Sequence, residues 1–153
     1  MDNRVLDFSV ILEKCGVGTA TPQEVVANVA NLEEFYDDNE LVEIYNYFLS
    51  NVKNPDILTG VIKLTDAHKA SSTLSILLNL LLLKNFECED TDSMINTRVM
   101  CAKAISNYKD TSTVGVLLYC LNNKGENYKI RLACADALGR IGDRFAVEPL
   151  IDV

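Results

Sequence analysis

The sequence predicts an all-α chain whose helices stack in pairs as a solenoid, and three observations carry this prediction. Apolar residues recur at spacings of three and four, while strand-like alternation is hard to find. The chain has only three prolines and seven glycines in 153 residues. RLACADALGRIGD (131–143) reproduces, 33 residues on, the register of RVMCAKAISNYKD (98–110). A period of that size built from helix pairs marks a solenoid.

The elements follow in order. Val5, Phe8, Ile11 and Leu12 form one apolar stripe and predict a helix over 2–15. Thr21-Pro22 sets an N-cap before a proline at the first helical position, and Glu24 completes a capping box for a helix over 22–35. A second stripe, Leu41, Ile44, Tyr45, Phe48 and Leu49, predicts 39–51. Asn54-Pro55 repeats the start signal and opens 55–67. LSILLNLLLL (74–83) lies within a helix over 71–86. It is far short of the ~20 residues that cross a bilayer, and Ser75 and Asn79 interrupt it, so it reads as buried. Further helices are expected over 94–107, 111–122, 128–140 and 144–153. Stretches rich in Gly, Asn, Asp and Glu around 16–21, 87–93 and 122–127 read as connectors.

With the shift of 33, Arg98 meets Arg131, Cys101 meets Cys134, Ala102 and Ala104 meet Ala135 and Ala137, and Asp110 meets Asp143. Val114, Leu117 and Leu118 meet Val147, Leu150 and Ile151. A third copy appears with a shift of 40, KASSTLSILL (69–78) over KDTSTVGVLL (109–118), the extra residues falling in the acidic connector ECEDTDS (87–93). Ala and Cys suit a first helix crowded on both sides. Asp110 and Asp143 stand where the second helix begins, facing its exposed N–H groups. Gly139 and Gly142 suit a tight turn before it.

YKIRLACADALGRIGDRFAVEPLIDV closely resembles the HEAT-like repeat first noted in phycobilisome lyases. The match is near complete at 131–151, good at 98–118, fair at 61–83 and only pattern-level before residue 55. The resemblance implies a right-handed α-α superhelix, here of about four helix pairs plus an N-terminal helix, with second helices lining a concave face. It also implies a ladder between the repeated Arg and Asp: Arg98, Arg131, Asp110 and Asp143. Ser106, Asn107 and Lys109 replace the Gly-rich turn, which predicts a looser bend in that copy. The chain reads as one domain over 1–153, with clearest repeats at 55–86, 94–122 and 128–153. It stops two turns into the last helix, so a fragment of a longer array, or self-association through that end, is expected.

With 22 Asp plus Glu against 14 Lys plus Arg, the net charge is −8. That balance argues against nonspecific nucleic-acid binding and against docking on anionic membrane. No secretory signal order, no glycosylation acceptor and five cysteines without a CxxC pair point to a cytoplasmic setting with free thiols.

Chemistry-bearing motifs are sparse. His68 is the only histidine, which removes Ser-His and multi-His arrangements and leaves a structural role. Cys101 and Cys134 fall at small-residue positions and read as buried thiols, while Cys88 sits among carboxylates that would raise its pKa. ECEDTDS lacks the glycine and closing Glu of a calcium loop, and GVG (16–18) lacks a dinucleotide fingerprint. No catalytic residue, cofactor or metal is expected.

The second helices supply the candidate surface. Positions facing neither partner nor neighbour are Glu43, Asn46 and Tyr47, then Ser75 and Asn79, then Gly115 and Tyr119, then Glu148 and Asp152. A polar, mildly acidic strip with tyrosines suits a protein or peptide. The expected function is therefore a non-enzymatic interaction scaffold. Two alternatives rest on the resemblance: an accessory protein of the bilin-lyase type, which would need an apolar pigment pocket, and a HEAT-like nucleic-acid module, which would need basic helix ends and stacking aromatics.

Overall fold

The fold comes from a computed structural model, which describes residues 5–82 and 91–142. Among these the regular structure is entirely helical: α1 (Phe8–Cys15), α2 (Pro22–Asn31), α3 (Asp38–Asn51), α4 (Pro55–Thr65), α5 (Ser71–Leu81), α6 (Asp92–Tyr108), α7 (Val114–Asn122) and α8 (Tyr128–Ile141). Short 3-10 turns at Leu32–Glu34 and Thr111–Thr113 extend α2 and precede α7. The expected helix at 144–153 lies outside the described residues.

Local chemistry sets the starts. Thr21 accepts the Glu24 N–H at 3.2 Å and Glu24 returns a bond to the Thr21 N–H at 3.3 Å. Asp37 and Glu40 close a second capping box at 2.8 and 3.0 Å. Asn54 caps α4 by accepting from Asp56 and Ile57. Among the described residues the first helix begins at Phe8, leaving 5–7 outside it, because Asp7 is extended and accepts the Val10 N–H at 3.3 Å. Val5 is 91% exposed and contributes nothing to that stripe.

The helices lie in two rows. In one, α2 packs on α4, α4 on α6 and α6 on α8; in the other, α1 packs on α3 and α3 on α5. The rows are joined by α1 on α2, α3 on α4, α5 on α6 and α7 on α8. Between them lies the core, including Tyr45, Phe48, Leu58, Ile62, Leu77, Leu80, Met94, Ile105 and Leu117. α6, covered by α4, α5 and α8, buries Cys101, Ala102 and Ala104 where large side chains would hold its neighbours apart. Gly60 does the same for α4, since a Cβ there would overlap the Val26 side chain of α2.

Two turns depart from expectation. Gly139 lies inside α8, and only Gly142 takes the left-handed conformation, φ +74°, that ends the helix. Lys109, 33 residues earlier, takes the same conformation at φ 51°. The bend expected to be looser is thus made by the same backbone device, with a lysine bearing strain that glycine escapes. No helix among the described residues is long and apolar enough to cross a membrane.

Candidate functional site

The described strip residues lie on α3, α5 and α7, with Glu43, Ser75, Gly115 and Tyr119 exposed and Asn46, Tyr47 and Asn79 half-buried. Glu43 and Tyr47 line a shallow groove with Asn46, Ser50 and Phe8, and the Tyr47 ring stacks on Phe8 at 4.5 Å with the planes 7° apart. Asn46 ties α3 to α5: it donates to Ser72 Oγ at 3.0 Å and accepts from Thr73 Oγ1 at 2.6 Å. Ser75 is exposed and Asn79 half-buried. On α7, Gly115 is open to solvent and Tyr119 is 64% exposed. No hydrogen bond or ion pair among the described residues joins Gly115 or Tyr119 to the α3 and α5 positions. Glu148 and Asp152 lie outside the described residues.

α5 and α7 present their sides alike. From 71 to 78 and from 111 to 118 the buried, half-buried and exposed positions coincide, 40 residues apart. Leu74 and Leu77 face inward as Val114 and Leu117 do, leaving Ser75 and Gly115 outward.

Arg98 and Arg131 join the rows. Arg98 is 2% exposed and donates its Nε–H to the Leu81 carbonyl at 2.9 Å, at the end of α5. Arg131 donates its Nε–H to the Leu121 carbonyl at 2.8 Å, in the last turn of α7. Each thus satisfies a carbonyl that its own helix leaves unpaired. Both Arg98 terminal nitrogens meet Glu126, at 3.0 and 2.5 Å. Asp110 is engaged locally: hydrogen bonds from the Ser112 side chain and from the Ser112 N–H, the latter at 2.9 Å, hold its carboxyl below the usual range. Asp143 lies outside the described residues. Burial alone would raise the Glu126 carboxyl, but Arg98 and the Asn127 N–H outweigh burial and lower it. Sequence reasoning missed Glu126, since no local pattern links it to an arginine 28 residues earlier.

His68 lies in the turn between α4 and α5, where Nδ1 meets Asp38 and Nε2 meets Glu33 at 3.0 Å. These hydrogen bonds, Asp38 first, raise its pKa above the ordinary value against the opposing effect of burial. Next along the same end, Asn107 donates to Asp66 at 3.0 Å. The arrangement links successive turns and leaves both imidazole nitrogens engaged, so it supplies no free base.

Cys15, Cys101, Cys120 and Cys134 are buried and free. Burial pushes the Cys101 thiol up to about 12, and Cys134 is raised by its hydrogen bond with Cys120 and by burial. Both are poor nucleophiles. Cys88 lies outside the described residues. Among the described residues, no three His, Cys, Asp or Glu side chains are placed to hold a metal ion.

No family model, no curated protein and no solved structure matches this chain.

Proposed function

We propose that the chain is a non-enzymatic interaction scaffold, a HEAT-like right-handed superhelix that binds a protein or peptide along the exposed edges of α3, α5 and α7. The observation that supports this most is the shared presentation of α5 and α7, which expose equivalent positions 40 residues apart. Helical arrays with such a periodic edge offer an extended binding surface. The parallel roles of Arg98 and Arg131 at successive joints support the repeat reading. Tyr119 and the stacked Tyr47–Phe8 pair supply aromatic surface of the kind that anchors interfaces.

Affinity capture from lysate tests the reading, comparing wild type with Tyr119→Ala and with Glu43→Lys plus Tyr47→Ala. The proposal requires a protein retained by wild type and lost from both variants. A partner retained equally by all three, or none retained by any, removes the strip as a binding surface.

A further inference from the structure

On the other row of helices, α6 and α8 lie against each other and leave a groove of roughly 230 Å³ between their outer sides. Val99 and the small side chains Ala133 and Ala137 form its floor, and Leu132, 60% exposed, stands at its wall. Lys129 lies at one end of the α8 face and Arg140 at the other, with Lys103 opposite on α6. A second hollow, toward α4, shares Lys103 and Arg140 and adds Lys63 and Met100.

The charge here runs against the rest of the molecule. In a chain of net charge −8, three of the fourteen basic residues line one apolar groove and a fourth, Lys63, lines the hollow beside it. None of Lys63, Lys103, Lys129 and Arg140 makes an ion pair among the described residues. The carboxylates nearby do not neutralise them. Asp66 is engaged by Asn107 and pairs with Lys69 at 3.5 Å, Asp56 shares a separate hollow with Lys63, and within the groove itself Asp136 stands against Lys103, Lys129 and Arg140. Folding gains nothing from crowding unpaired like charges, and an exposed leucine beside them adds apolar surface in water.

We infer that the α6–α8 groove is a docking site for an acidic amphipathic helix of a partner protein, whose apolar stripe lies on Val99, Leu132, Ala133 and Ala137 while its carboxylates meet Lys129 at one end and Lys103, Arg140 and Lys63 at the other. Two parallel ridges of helix with an apolar trough between them suit a third helix laid lengthwise. Lys129 and Arg140 lie eleven residues apart on α8, which at 1.5 Å per residue spans about 16 Å, or three turns of a docked helix. The site therefore selects acidic residues about three turns apart, flanking apolar residues at i, i+3 or i+4, and i+7. The groove holds no aromatic side chain on which a base would stack, and its floor is apolar rather than polar. That favours a peptide over a nucleic acid. The surface is separate from the strip on α3, α5 and α7, and does not depend on it.

The test is a display selection on the full chain, using a library of randomised peptides of about 14 residues, long enough for three to four turns. Winners are then measured by fluorescence anisotropy, beside a single-stranded oligonucleotide of equal length. The selection should enrich acidic amphipathic sequences, and Lys103→Glu with Arg140→Glu should weaken them on the order of tenfold. Leu132→Ser should also weaken them, rising salt should weaken them further, and Tyr119→Ala should leave them unchanged. Circular dichroism of each variant separates lost binding from lost fold. Winners without acidic bias, equal binding to the charge-reversed variant, preference for the oligonucleotide, or no enrichment would each overturn the proposal. So would a dimer in sedimentation that Leu132→Ser dissolves, because the groove would then be covered by a second copy.

Discussion

Arg98 and Glu126 form a two-pronged ion pair, at 3.0 and 2.5 Å, with the arginine side chain only 3% exposed and the carboxylate 12% exposed. It connects α6 to the loop before α8, while the Arg98 Nε–H closes the end of α5. One side chain therefore holds α5, α6 and the loop before α8 together.

Removing the carboxylate breaks a buried two-pronged ion pair, and such losses typically cost about 3 kcal/mol. Glu126→Ala should lower unfolding free energy by about that amount in a urea titration. The double variant Arg98→Met with Glu126→Leu should recover part of it but retain a deficit of about 1 kcal/mol, because the Leu81 carbonyl loses its donor. A single variant as stable as wild type would show that the pair is dispensable.

Lys109 adopts a left-handed backbone that favours glycine. Lys109→Gly should therefore raise stability by about 1 kcal/mol, and Gly142→Ala should lower it by a similar amount. Thermal melts of both variants check the opposed signs; a Lys109→Gly variant that melts lower would contradict the strain.

Gly139 and Gly115 lie inside helices, and a Cβ on either meets nothing within 4 Å. Alanine at either should add about 0.5–1 kcal/mol by restricting the unfolded chain and favouring helix. If the Gly115→Ala variant is more stable yet loses a captured partner, the open face of α7 is itself needed for contact.

His68 gives a pH dependence of defined sign. Its pKa is raised by Asp38 and Glu33, so its pairing is fully present below the ordinary histidine range and is lost as pH rises through the raised value. Wild type should lose stability relative to His68→Gln as pH rises from the ordinary histidine range through the raised value, with the difference levelling off above that value. Parallel curves for the two proteins across that range would remove the histidine from the stability balance.

How far the fold was legible depends on how local its causes are. Thr21-Pro22-x-Glu24 and Asn54-Pro55 mark the starts of α2 and α4 to the residue, since a cap is decided within four positions, while the ends fall earlier than 35 and 67, at Asn31 and Thr65. Asp37 and Glu40 form the same device, yet α3 was placed one residue late because the run DDNE offers several candidate caps. Gly139 sits beside Gly142 in the pattern, but only the conformation of the second ends the helix. The Arg98–Glu126 pair and the unpaired cations around α6 and α8 come from elements far apart in the chain. Only the stacking of helices makes either visible. Glu43 is readable as an exposed position, whereas Tyr47 is half-buried, and the Phe8 ring that stacks on it requires α1 to be placed on α3.

Arg98 and Arg131 act as rivets as much as charges. Each crosses from one helix to a last-turn carbonyl of the helix before it, so parting α5 from α6, or α7 from α8, bares a carbonyl and a cation together. Damage at one seam then weakens the hold on the next, and α5 through α8 should exchange their amide hydrogens as one block rather than fraying helix by helix.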